Sequence, residues 1–132
     1  VVPNQVVAHY LDGRLVKGTS LDVAPGKPDC HLRTADQGMV KVRLADLKAL
    51  YFVKSLVGDP ARDYATEPTE GDPRLAGSRR ISLTFRDGER LEGLCNSYPP
   101  LGRQFFVLPV DGGGNTIRIL VNRDAVNELS GR

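Results

Sequence analysis

From residue 79 onward the chain alternates apolar and polar positions. In RRISLTFRDGERLEGL, Ile81, Leu83 and Phe85 are apolar and Ser82 and Thr84 between them are polar. A period of two is the pattern of a strand with one face on a core. Asp87-Gly88 then signals a hairpin. A two-residue loop would set Phe85 against Arg90 on the core face. A three-residue loop, Arg86-Asp87-Gly88, instead pairs Phe85 with Glu89 at the turn and Leu83 with Leu91, and gives Gly88 the left-handed position that closes the bulge. The longer loop is predicted. Strands QFFVLPV and TIRILV follow, joined by DGGGN, and a last short strand comes after NRDA.

The first third of the chain repeats this pattern. DGRLVKG, residues 12–18, returns as DGERLEG, residues 87–93, an offset of 75. With that offset Val6, Ala8 and Tyr10 fall on Ile81, Leu83 and Phe85, Val16 on Leu91, Leu32 on Val107, Asp36 on Asp111, Gly38 on Gly113, Val42 on Ile117 and Arg43 on Arg118. After one or two inserted residues, LADLKALYFV (44–53) meets VNRDAVNEL (121–129). Four to five strands in about fifty residues is the size of a small β-barrel. The expected fold is therefore all-β, two tandem small barrels related by internal duplication. Their spans are 1–56 and 79–132, with residues 57–78 as a linker.

Charge supports that boundary. Lys and Arg outnumber Asp and Glu by 8 to 5 in residues 1–56 and by 8 to 6 in 79–132, whereas the connector VGDPARDYATEPTEGDPRLAGS has 2 basic and 5 acidic residues. Three prolines, three glycines and no hydrophobic period give the connector the composition of a linker. No apolar run approaches the length of a membrane span, and VVPNQVV lacks the basic head and apolar core of a signal peptide. A soluble, cytoplasmic chain is expected. Cys30 and Cys95 are too few for a disulfide framework, do not form a C-x-x-C pair, and are expected to be reduced.

Each copy, reading apolar-x-apolar-x-apolar-x-Asp-Gly-x-x-apolar-x-Gly and ending in IRILVNRDAV, resembles the Sm-like, SH3-type barrel. Together the copies resemble an uncharacterised bacterial domain family. Its members carry DG-x-x-x-KG early, DLKA-(V/L)-(Y/F)-FV in the middle and F-x-DGE-x-(L/M)-x-G late. The Sm resemblance implies RNA binding where the binding residues are present. The loop NSYPPLGRQ offers Tyr98 as a stacking residue but lacks the Sm asparagine, and the late position reads Asn122-Arg123 instead of Arg-Gly.

Candidate chemistry is sparse. DGGGN joins two strands and has neither the following helix nor the Lys of a phosphate loop. His9 and His31 lack further clustered ligands, so no metal site is expected. No Ser/His/Asp spacing stands out, and the carboxylates sit mostly in turns, where Asp is common anyway. The expectation is a non-enzymatic binding module with no catalytic residues and no cofactor, serving protein interaction or scaffolding. Its partner is another protein or a second copy of itself, and no membrane is expected.

Two surfaces carry that expectation. Strand LYFV (50–53) is apolar on both faces, and Leu15 stands where the second copy has Arg90. Val7, Leu11, Leu15, Tyr51 and Val53 are therefore assigned to an apolar interface with the second barrel or another chain. The alternative is single-stranded RNA or another nucleic acid held on an arginine-bearing face of the second barrel. Arg80, Arg86, Arg90, Tyr98, Arg118 and Arg123 are its candidates.

Overall fold

The computed structural model describes residues 3–24, 26–57, 67–100 and 102–131. Of the connector, residues 58–66 lie outside the described residues. The alternating segments form ten strands: β1 (Asn4–Tyr10), β2 (Leu15–Ser20), β3 (Asp29–Thr34), β4 (Gly38–Arg43), β5 (Leu47–Val53), β6 (Arg79–Phe85), β7 (Arg90–Cys95), β8 (Gln104–Pro109), β9 (Thr116–Asn122) and β10 (Val126–Gly131). Short 3-10 turns, Leu44–Asp46 and Arg123–Ala125, lead into β5 and β10. Among the described residues no helix is long and apolar enough to cross a membrane.

All ten strands join one antiparallel sheet in the order β10-β6-β7-β8-β9-β5-β1-β2-β3-β4. The class is all-β, as expected. The sheet, however, is single and does not close, because its outer strands β10 and β4 do not pair with each other. A separate pair of closed sheets was the expectation; instead β5 and β9 run the sheet straight across the two halves of the chain, with Ala49 opposite Val121 and Tyr51 opposite Ile119.

Both hairpin tips follow the predicted geometry. Phe85 N donates to Glu89 O at 2.8 Å, Gly88 N to Phe85 O at 2.9 Å, and Leu83 faces Leu91. The first half repeats this with Tyr10 N to Arg14 O, Gly13 N to Tyr10 O, and Ala8 facing Val16. Gly13 and Gly88 have φ of 93° and 92°, the left-handed region that favours glycine.

Register also corrects the alignment. β3 sets Cys30 against Val42 and β8 sets Phe105 against Val121, so Val42 answers to Val121 and Arg43 to Asn122, not to Ile117 and Arg118. The extra length sits in the β8–β9 hairpin, around DGGGN. Ile117 accordingly stands 51% exposed. On β1, strand β5 skips Lys48 between Leu47 and Ala49; on β6, β10 skips Asn127 between Val126 and Glu128. The irregularity recurs at the same place in each half.

Two apolar clusters lie along the sheet. One gathers Val6, Ala8, Cys30, Leu32, Val42, Leu47, Leu50 and Phe52. The other gathers Ile81, Leu83, Phe85, Cys95, Phe105, Val107, Ile119 and Val121. Side chains of β3 and β5 meet in the first although β2 and β1 lie between them, so this half of the sheet curls around its core. The halves also exchange residues. Leu120 of β9 packs into the first cluster and Ala49 of β5 into the second. That exchange is why β5 is apolar on both faces: each face serves a different core, and each buried Leu or Phe contributes about 1.5–3 kcal/mol. Cys30 and Cys95 are buried, free, and in different clusters.

Candidate binding surfaces

The seam between β5 and β9 is more than a ladder. Lys48, pushed out of register by the bulge in β5, reaches the β6–β7 hairpin of the other half. Its Nζ lies 2.8 Å from Asp87 Oδ2, 3.2 Å from Glu89 Oε1 and 4.9 Å from the Phe85 ring centroid. Burial works against its charge, but hydrogen bonds to Asp87 and Glu89 outweigh that and raise its pKa. Further along, the Arg118 guanidinium lies 4.5 Å from the Phe52 ring and 4.6 Å from the Phe106 ring, capping a tilted aromatic pair drawn from both halves. Asn115 and Ser55 close that end, Ser55 N donating to Asn115 Oδ1 at 3.0 Å and Asn115 Nδ2 to Ser55 O at 2.9 Å.

The predicted apolar interface divides here. Tyr51 packs against the second cluster, and Val53 is buried beside Thr116 of β9. Val7, half-buried, pairs with Tyr51 on one side and Lys17 on the other. Leu11 and Leu15 do not join them; they stand 52% and 56% exposed at the β1–β2 hairpin.

His9 belongs to the seam as well. Its ring stacks on Tyr51 with centroids 4.1 Å apart. Burial, the largest cause, lowers the His9 pKa below the usual 6.5; Glu89 opposes the shift and Lys48 adds to it. Burial likewise pushes the Tyr51 hydroxyl up to about 12, with Glu89 and Asp87 acting in the same sense. A histidine with a depressed folded pKa takes up its proton more readily in the unfolded chain, so stability falls as pH drops through 6.5 and below. Melting temperatures measured from neutral down to about pH 5 are expected to decline, and His9→Gln is expected to remove part of that decline. An identical profile for the variant would assign the acid sensitivity to other groups.

The arginines proposed as a nucleic-acid face have separate partners. Arg80 pairs with Glu67 of the connector. Arg86 Nε donates to Asp124 O at 2.6 Å, and Arg123 donates to Pro100 O at 2.8 Å. Arg118 lies against the seam phenylalanines, and Tyr98 carries Arg79 on its ring at 4.6 Å. Arg90 is exposed, with Ser82 Oγ at 3.5 Å and Glu92 at 3.9 Å. His31 is held by Asp22, Nδ1 to Oδ2 at 2.7 Å, which keeps the Asp22 carboxyl down at about 2. No group of three or more His, Cys, Asp or Glu among the described residues is placed to hold a metal.

Two features were not among the sequence candidates. The first is the outer edge of β4, where Met39, Lys41 and Arg43 are exposed on one face while Val40 and Val42 point toward the core. The second is a cleft of about 510 Å³ where the two halves meet, lined by residues 26–28, 43–45, 102–104, Asn122 and Asp124. Its walls are tied down. Leu44 N donates to Pro28 O at 2.9 Å, Arg123 N to Arg103 O at 2.8 Å, and Gln104 bridges the halves by accepting from Gly26 N at 3.2 Å.

Fold and surfaces together define an all-β chain built on one open ten-stranded sheet, with a cleft between its halves. The chain belongs to a family of unknown function, DUF6982, whose model matches residues 2–131. No curated protein and no solved structure matches it.

Proposed function

We propose that the chain is a non-enzymatic protein-interaction module, built of two like small barrels, that binds a partner by adding the partner's strand to β4. The seam carries this reading. Within the chain, β9 already accepts an extended segment, β5, on its outer side. β4 occupies on β3 the place that β9 occupies on β8, and among the described residues its outer side carries no strand. An unpaired edge offers a row of backbone donors and acceptors to any extended segment of suitable pattern.

The side chains specify that pattern. Lys41, which holds Asp29 loosely at 3.5 Å, favours an acidic residue opposite it, and the 58% exposed Met39 favours an apolar one. On the other face Val40 and Val42 favour small apolar residues. A second copy is a poor occupant. Transferring the seam register to β10 sets Glu128 against Val42, at the edge of a core, and Leu129 against Lys41. A different protein with an alternating acidic and apolar strand fits better.

Fluorescence anisotropy with short labelled peptides tests this. A peptide alternating valine and glutamate is expected to bind, one alternating valine and lysine is not, and Lys41→Glu is expected to reverse the preference. Equal binding of both peptides, or indifference to the reversal, sinks the reading.

A further inference from the structure

We propose that the cleft between the two halves is a binding site for a small organic phosphate of mononucleotide size. The cleft shares Arg43 with the end of β4, but Lys41 and Met39, which specify the added strand, do not line it.

The argument starts from how the cations are used. Several arginines elsewhere are matched, Arg14 with Asp12, Arg74 with Asp72, Arg80 with Glu67 and Arg118 against two phenylalanines, while Arg33 on β3 stands alone among the described residues. Lys27, Arg43 and Arg103 differ. All three line the same cleft, all three are exposed, and none makes a side-chain hydrogen bond or ion pair with a described residue. The lining holds one carboxylate, Asp124, against those three charges. An excess of cations in a concave wall raises the local potential and favours an anion there.

Shape and rigidity narrow the class. About 510 Å³ lies within the range of small-molecule sites and exceeds what one inorganic ion fills. Two guanidinium forks and an ammonium match the oxygens of a phosphate monoester dianion, each fork presenting two parallel N–H donors. Beside them Pro28, Leu44 and Ala45 supply an apolar wall for the organic part. Gln104 and Asn122 are occupied in holding the walls: Gln104 Nε2 donates to Lys27 O at 3.4 Å and Asn122 Nδ2 to Leu47 O at 2.8 Å. A ligand therefore meets walls that are already formed and has only the three cationic side chains to order. Lys27 and Arg43 come from the first half and Arg103 from the second, so neither half holds the complete site.

Isothermal titration at low salt, with the full chain, tests the proposal. The probes are a set of nucleoside 5′-monophosphates, inorganic sulfate, and a short single-stranded oligonucleotide lacking a terminal phosphate. At least one monophosphate is expected to bind about tenfold or more tightly than sulfate. Arg43→Gln and Arg103→Gln are each expected to weaken that binding about tenfold, and Arg33→Gln, on an exposed part of β3, to leave it within about twofold. Because the substituted side chains are exposed, melting temperatures should match that of the parent chain, which separates lost binding from lost fold. Four results overturn the proposal: no binding of any monophosphate, sulfate bound as tightly (an adventitious ion only), binding by the oligonucleotide alone, or an Arg33→Gln loss as large as that from the cleft variants.

Discussion

Alanine at position 93 is expected to cost the chain roughly 3 kcal/mol or more, at the upper end of what overpacking a filled core costs. Gly93 lies on β7 where β8 crosses closest. A Cβ there would sit 2.2 Å from Val107 Cγ1 and 2.8 Å from Leu108 O. Val107 is fully buried, and Leu108 O belongs to the backbone, so neither yields without moving β8 away from the second core. The pairing at that point is narrow, Gly93 with Pro109 and Leu94 with Leu108, and offers little to hold the strand in place once it is pushed. Gly18, its counterpart on β2, would meet Arg33 O at 2.6 Å. Gly88 provides the contrast. It needs glycine for its φ of 92° but has open space around it, so Gly88→Ala is expected to cost only about 1–2 kcal/mol. Urea denaturation of Gly93→Ala beside Gly88→Ala checks the order. If position 93 proves the milder of the two, the close approach of β7 and β8 is not what requires glycine there.

These two glycines close the repeated heptapeptides, and they show what was legible in the sequence. Local geometry was: an Asp-Gly tip fixes its own loop through hydrogen bonds between neighbours, and an alternating run identifies its own buried face. The two-faced apolarity of LYFV was legible too, and the structure covers both faces of Tyr51 and Phe52. What the sequence did not show is the strand that covers them, because Ala49 meets Val121 across a separation no local pattern encodes. The four-residue displacement of β9 was hidden for a different reason. Asp111 and Gly113 in the longer hairpin mimic Asp36 and Gly38 in the shorter one, so the gapless alignment ran past its true break. Lys48 gave a faint signal, one cation in an apolar strand, but not its two carboxylate partners. The surroundings of the arginine candidates were equally hidden. Residue type indicates what Arg118 can bind, and only the fold reveals that Phe52 and Phe106 already hold it.

Leu120→Lys is expected to separate the two halves without unfolding both. Leu120 is 3% exposed and is the residue that β9 inserts into the first core, beside Leu44, Leu47 and Leu50. At the corresponding place β4 has Lys41, which is exposed and, among the described residues, has no strand beyond it. Lysine is thus compatible with this register only when the seam is open. In the closed seam the substitution forfeits about 1.5–3 kcal/mol of apolar burial and confines an ammonium among apolar side chains, an effective penalty of several kcal/mol more. Opening the seam returns the ammonium to water, at the cost of exposing Ala49, Tyr51 and Phe52. Each half keeps its own hairpins and most of its own core, so the variant is expected to melt in two transitions where the parent is expected to melt in one, with a calorimetric enthalpy exceeding the van't Hoff value. Leu120→Ala serves as the control, since it removes packing, at a cost of about 2–5 kcal/mol, without introducing a charge. If Leu120→Lys instead melts in one transition at a lower temperature, each half needs the other's inserted side chain to fold, and the sheet is one cooperative unit rather than two joined at β5 and β9.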